Sequence, residues 1–295
     1  MLQKRGIALL VTVFFIMLIT LSLGVALKTI KKANNSINNE QFIFQSAMIL
    51  DDVLHILKNS PELEQVTSAQ NLSTFLLSSE SIPFQSNGIE VIIKFSSARS
   101  KINPNTLKNT ASLDAFKKFL NTKGISTVYA DFLFDSMGGI REDQTYTTEI
   151  FNKNPEMFRD YIASQKHLEA INDLYINTYH DINLKSMNTK DFFYVSPDTN
   201  SSIDLNFATA QTYEILLACD AYRAEALSID ERVREKIEDL QLSDEEKINL
   251  ARFQTSFFEP YLDVTIDIRQ NNHSSHIIFE YNVKSKKGFH FVFEV

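Results

Sequence analysis

The sequence has no tryptophan, one cysteine, seven glycines and six prolines in 295 residues. A single thiol, Cys219, excludes an internal disulfide, so the fold is stabilised without bridges in whatever compartment holds it. No base for a thiolate lies near Cys219, and the apolar stretch Tyr213 to Ala221 reads as a helix carrying a buried, inert thiol. Scarce glycine argues against phosphate-cradling loops, and none occurs between Gly139 and Gly288. Basic charge is short as well. The formal charge is −8, and nucleic-acid backbones are held by clustered Lys and Arg, so a nucleic-acid partner is excluded. Catalytic signatures are missing too: there is no nucleophile elbow, no phosphate loop, no His-Glu-x-x-His and no Cys-x-x-Cys. His180-Asp181, with His167 and Glu169, is the nearest approach to a metal phosphohydrolase set, but that chemistry needs further His and Asp ligands. The remaining histidines, His55, His273, His276 and His290, sit in unrelated contexts, with His273 and His276 expected in an exposed hairpin turn. The expectation is a protein that is not an enzyme.

What is present is apolar. Hydrophobic residues make up 44% of the chain and charged residues 22%, with 23 phenylalanines, the composition of a folded body with a sizeable core. Ile7 to Leu27 carries no charge. About 20 such residues at a rise of 1.5 Å cross the roughly 30 Å hydrocarbon core of a bilayer. Lys4 and Arg5 precede the run while Lys28, Lys31 and Lys32 follow it, so flanking charge leaves orientation open. The run is long for a signal peptide, although Gly24-Val25-Ala26 keeps a cleaved signal as an alternative. From Lys28 to Asn59 there is no Pro or Gly, and apolar residues recur near helical spacing at Phe42, Ile49, Val53 and Leu57. Ser60-Pro61-Glu62 then reads as a stop and a new helix start.

Ile89 to Phe95 alternates as a strand with Ile89, Val91, Ile93 and Phe95 on one face. Three more alternating runs close the chain, Leu262 to Ile268, Ile277 to Val283 and Phe289 to Val295, and polar turns between them predict an antiparallel meander. Ser100 to Pro260 reads as mainly helical, with capping boxes at Ser228 to Glu231 and Ser243 to Glu246. The expected class is α+β: a long N-terminal helix packed on an antiparallel sheet, with a large helical domain inserted. The expected boundaries are 28–99 for the helix and first strand, 100–260 for the insertion and 261–295 for the closing strands.

The N-terminus, Met1-Leu2-Gln3-Lys4-Arg5-Gly6 followed at once by the apolar run, resembles the class III leader of type IV pilins and type II secretion pseudopilins. The resemblance implies a leader over 1–6, cut after Gly6 by the prepilin peptidase, methylation of the new N-terminus at Ile7, and a transmembrane part of the helix over 7–27. Ile7 departs from the usual Phe. At the fifth mature position most members carry Glu, which neutralises the N-terminal ammonium of the subunit above. Here it is Val11. A carboxylate in lipid is costly and is kept only for such a task. The large K-type minor pseudopilin, which sits at the filament tip, typically lacks it.

Two further segments resemble that family's Asn-x-Asn-Thr motifs. They are Lys101-Ile102-Asn103-Pro104-Asn105-Thr106-Leu107 and Ser202-Ile203-Asp204-Leu205-Asn206-Phe207-Ala208-Thr209-Ala210, the second departing at Asp204 and Phe207. Their Asn and Thr side chains are expected to bond free N–H groups at helix starts. The resemblance implies a minor pseudopilin that nucleates a type II secretion pseudopilus. Its partners would be minor pseudopilins of the I and J types, the prepilin peptidase and the inner-membrane secretion platform. The chain would cross the inner membrane once, with its bulk in the periplasm. It also implies a possible calcium site at Asp131, Asp135, Glu142 and Asp143, where Phe132 stands in place of the family's Trp. The alternatives are a minor pilin of a type IV pilus and a signal-anchored periplasmic enzyme or binding protein.

Overall fold

The computed structural model describes residues 40–79, 81–86, 88–140, 146–230 and 232–294. The leader, the apolar run with Gly6, Ile7 and Val11, and the acidic residues Glu142 and Asp143 lie outside the described residues. Among the described residues no helix is long and apolar enough to cross a membrane.

Helix α1 covers residues 40–59. Phe42, Ser46, Val53 and Leu57 are buried at spacings of four, seven and four residues, which places them on one stripe, flanked by half-buried Ile49, Leu50 and Leu54. Ser60 then ends the run and caps α2 (Pro61–Glu64), its hydroxyl accepting the Leu63 N–H at 3.2 Å, with Pro61 in the first turn. Ser68 caps α3 (Ala69–Ser78) in the same way.

A five-stranded antiparallel sheet lies under α1, in the order β1 (Ser81–Ser86), β2 (Ile89–Ser97), β5 (Tyr261–Gln270), β6 (His273–Asn282), β7 (Lys287–Glu294). Its register brings one side chain in two to the helix: Val91, Ile93 and Phe95 lie opposite Ile268, Ile266 and Val264, which in turn adjoin Ser275, Ile277 and Phe279. These side chains and the stripe of α1 form one core. Each fully buried Val, Leu, Ile or Phe stabilises this packing by about 1.5–3 kcal/mol. The strands from Ile89 onward sit where alternation places them. β1 was not expected, because Ser81-Ile82-Pro83-Phe84 breaks the strand pattern; Pro83 is tolerated there because β1 is an edge. His273 and His276 lie within β6 rather than in the turn, which Asn271 makes by taking φ 52°.

Between β2 and β5 the chain builds a second body with its own core. It contains α4 (Thr110–Thr122), α5 (Val128–Asp135), α6 (Ile150–Lys153), α7 (Gln165–Tyr179), α8 (Ile182–Ser186), α9 (Ala210–Leu217), α10 (Ala221–Ser228) and α11 (Asp244–Leu250). A two-residue parallel pair, β3 (Ile203–Asp204) with β4 (Thr255–Ser256), ties its end to its middle. With no tryptophan available, phenylalanine and tyrosine fill the centre: Phe116, Phe119, Tyr129, Phe192 and Phe193 pack with ring centroids 4.6–6.2 Å apart. The box at Ser243 and Glu246 starts α11, with its two bonds at 3.2 and 2.7 Å. Ser228 instead closes α10, whose start is capped by Asp220. The four-residue pattern that reads as a box there, Ser228 to Glu231, falls at the wrong end of the helix.

Candidate functional site, the joint between sheet and helical body

The chain leaves the sheet once, after Ser97, and re-enters once, at Tyr261, so the helical body hangs on two adjacent strand ends. Three groups of side chains fasten this joint.

The first is an ion pair. Arg99 and Glu280 are 2% and 8% exposed and meet in two parallel bonds, Nη1 to Oε2 at 2.7 Å and Nη2 to Oε1 at 2.6 Å. The guanidinium lies over the Tyr261 ring at 4.1 Å and near Tyr194 at 5.2 Å. Burial alone would raise the Glu280 pKa, but His290, 3.8 Å away and too far to hydrogen-bond, and Arg99 hold it below the usual carboxylate range. Neither residue was singled out in the sequence. The available signal was Glu280 inside the apolar run Ile277 to Val283, a charge on a strand face with no reason to be dry unless paired.

The second group is the Asp204 segment. Asp204 is fully buried; its Oδ1 accepts the Asn206 N–H at 3.0 Å, its Oδ2 the Glu259 N–H at 2.8 Å, and its own N–H donates to the Arg99 carbonyl at 2.9 Å. One residue, through its side chain and its backbone N–H, therefore joins the chain just past β2, the helical body and the chain just before β5. Asn206 donates to the carbonyls of Arg234 and Phe257 and accepts the Arg234 N–H. Thr209 caps α9.

The third is the Asn103 segment, where Asn103 donates to the carbonyls of Ser196 and Asp198, and Asn105 to those of Ile162 and Ser196. Helix-start bonding was the expectation for both segments. Asn103 does accept the Asn105 N–H at 3.2 Å, yet most of these bonds reach loops 28 to 95 residues away.

Burial pushes Asp204 up to about 6 against the lowering effect of its two N–H donors, and burial raises Asp263 to about 6 as well, with Lys101 opposing. A carboxyl whose folded pKa lies above its unfolded value near 3.8 stabilises the fold fully below about pH 4, and this contribution is lost as pH rises through 6. The Asp204 contribution is on the order of 2 kcal/mol. His167, whose pKa is lowered by burial, acts in the opposite sense over the same window. The expected result is that wild type gains stability from pH 7.5 to 5 relative to Asp204→Asn, by roughly 3–5 °C in Tm. Parallel melting curves for the two proteins would refute it.

The residues proposed for calcium do not form such a site in their described half. Asp131 is neutralised by Lys117 at 2.7 Å. Asp135 is fully buried and accepts the N–H groups of Thr147 at 3.1 Å and Thr148 at 2.7 Å, together with the Thr148 hydroxyl at 2.7 Å. A cation there would face the Lys117 ammonium and donors already aimed at the Asp135 carboxylate, so these two residues do not fit one. Among the described residues no three His, Cys, Asp or Glu side chains converge on a metal position. His180 closes α7 in the left-handed region and Asp181 caps α8, Glu169 pairs with Lys190 and His167 accepts the Ala163 N–H, so the His180–Asp181 set is spread over local tasks. Cys219 is half-buried, and burial, then Glu246, pushes its thiol up to about 11, out of range for a nucleophile.

The outer side of α1 carries exposed Ile43, Phe44, Met48 and Ile56, with Phe44 66% exposed. Phe44 and Met48, one turn apart, form the main exposed apolar pair of this helix.

Sheet, helix and inserted helical body together make an α+β fold. No protein-family model matches the chain, and no curated protein matches it. A solved structure does. A chain of the crystal structure of the GspK–GspI–GspJ complex from the enterotoxigenic Escherichia coli type 2 secretion system is similar with a TM-score of 0.59 and 14% identity, over 90% of this chain and 98% of that one. The fold is GspK-like.

Proposed function

We propose that this chain is a K-type minor pseudopilin of a type II secretion system, nucleating a pseudopilus at its tip and not acting as an enzyme. The supporting observation is the pairing of a helix laid on a five-stranded sheet with a helical body inserted between β2 and β5, in a fold shared across 98% of a chain from the GspK–GspI–GspJ complex. In this reading the partners are minor pseudopilins of the I and J types, and the exposed face of α1 is their contact surface. Ile7–Leu27 anchors the chain once in the inner membrane, with residues 40–294 in the periplasm. The prepilin peptidase cuts after Gly6, Ile7 is methylated, and Val11 leaves no acid to hold a subunit above. The inner-membrane platform then draws the filament out beneath it.

Mass determination of the N-terminus of membrane-extracted protein tests the reading. A methylated Ile7 terminus is expected. An intact Met1, or a cut near Ala26, would instead support the signal-anchored alternative and remove the pseudopilin assignment.

A further inference from the structure

The sheet has two edges, and they differ. β1 carries Pro83, which offers no N–H, and its free side is otherwise built from Ser81, Gln85 and Phe84. β7 carries half-exposed apolar side chains along its length: Phe289, Phe291, Val292 and Phe293 are 37–46% exposed. Natural proteins blunt such an edge with charge, proline or a bulge. β7 has charge only at its two ends, Lys287 and Glu294, the latter paired with Lys166 at 3.6 Å, and a bulge between them, where His290 takes φ 54° and the register slips opposite Phe279. Beyond it the strand is regular again, with Val292, Phe293 and Glu294 facing Ile278, Ile277 and His276. Phe291 is seated on Phe279, with ring centroids 5.1 Å apart, so the edge is held flat against the core instead of curling away.

Gly288 fixes where the edge begins. A Cβ there would lie 2.6 Å from Phe291 and 3.1 Å from Leu54, so the turn closes directly against α1. That turn is basic, with Lys284, Lys286 and Lys287, in a chain of formal charge −8. Lys286 pairs with Glu64 and Lys284 lies over Phe258, whereas among the described residues Lys287 makes no ion pair.

We infer that β7 is a strand-addition site, occupied by an extended segment of a neighbouring minor pseudopilin with alternate apolar residues and an acidic residue beside Lys287. Among the described residues nothing pairs with the outer backbone of β7, which dictates an extended occupant, because only another strand satisfies a row of N–H and C=O groups. The exposed phenylalanines call for apolar side chains on it, and the free Lys287 for a carboxylate at that end. The inference rests on the pseudopilin reading, since that reading names the neighbour.

The test uses the full chain in detergent micelles and the purified periplasmic parts of the I- and J-type pseudopilins encoded by the same organism. Amide hydrogen exchange is followed residue by residue, together with the affinity of the wild type, Lys287→Glu, Val292→Lys and Met48→Lys. Protection of the 289–294 amides on binding is expected, with affinity about tenfold weaker for Lys287→Glu and weaker still for Val292→Lys. Lys287 is exposed and forms no ion pair among the described residues, so its variant keeps the fold if Val292→Lys does not. Binding that protects α1 alone, weakened by Met48→Lys and indifferent to both β7 variants, would overturn the inference and leave the pseudopilin reading standing. Binding of neither protein would overturn both. Protection of β7 without any added partner would name a second copy as occupant and overturn the inference as stated.

Discussion

Truncating Glu280 to alanine is expected to destabilise the protein by about 3–5 kcal/mol, because it leaves the Arg99 guanidinium dry and unpaired. The pair sits where the helical body joins the sheet, with both side chains under 10% exposed and two bonds of 2.6 and 2.7 Å. Exposed ion pairs such as Lys153–Glu149 or Lys247–Asp244 contribute about 0–1 kcal/mol, and their removal serves as the control. Arg99→Ala should cost a similar amount to Glu280→Ala, losing in addition the stacking on Tyr261. The double replacement Arg99→Met with Glu280→Leu should recover much of the loss, since a dry pair and well-packed apolar residues are close in stability. What apolar residues do not restore is direction: a two-pronged bond fixes the angle of the guanidinium plane, and with it the path of the strand leaving Ser97. Chemical denaturation of the three variants separates these contributions. A loss below about 1 kcal/mol in both single variants would mean that water reaches the joint.

The joint was the part of the molecule least legible in the sequence, and the reason is distance along the chain. α1 could be read because Phe42, Val53 and Leu57 repeat with the period of a helix, and the closing meander because Leu262, Val264, Ile266 and Ile268 repeat with the period of a strand. Both signals are local. Arg99 and Glu280 are 181 residues apart, and each alone reads as a solvated charge. The Asn103 and Asp204 segments were noticed, but for a local reason, as helix starts. Thr209 and Ser243 do behave that way. Asn105 does not: it is fully buried and its side chain serves Ile162 and Ser196, across 57 and 91 residues. β1 was lost to Pro83, which only an edge position excuses, and an edge is a property of the assembled sheet. Of the carboxylates that the family resemblance offered for calcium, Asp131 and Asp135 are four apart on one helix, yet Lys117 and the 147–148 backbone reach them from elsewhere.

Asn105 is where that difference between local and long-range roles has its second large consequence. Its Nδ2 donates to the Ile162 carbonyl at 2.9 Å and the Ser196 carbonyl at 2.8 Å, while its Oδ1 accepts the Ile162 N–H at 2.8 Å. Ile162 and Ser196 are fully buried, so water cannot take over these groups. Asn105→Ala strands the donor and acceptor of Ile162, and each buried unsatisfied group costs about 1–3 kcal/mol, which sets the expected loss near 3–5 kcal/mol. Asn105→Asp is nearly the same shape and should be worse, because it buries a charge and turns an oxygen toward two carbonyl oxygens. Asn103→Ala should be milder: the Ser196 carbonyl keeps its bond from Asn105 and the carbonyl of exposed Asp198 can be solvated, which leaves the Asn105 N–H, held at 3.2 Å, as the main group stranded. Denaturation midpoints are therefore expected to fall in the order Asn103→Ala, Asn105→Ala, Asn105→Asp. If Asn105→Asp matched wild type at neutral pH, the segment would be open to water, and the loops it fastens would be positioned by the apolar core beneath them instead.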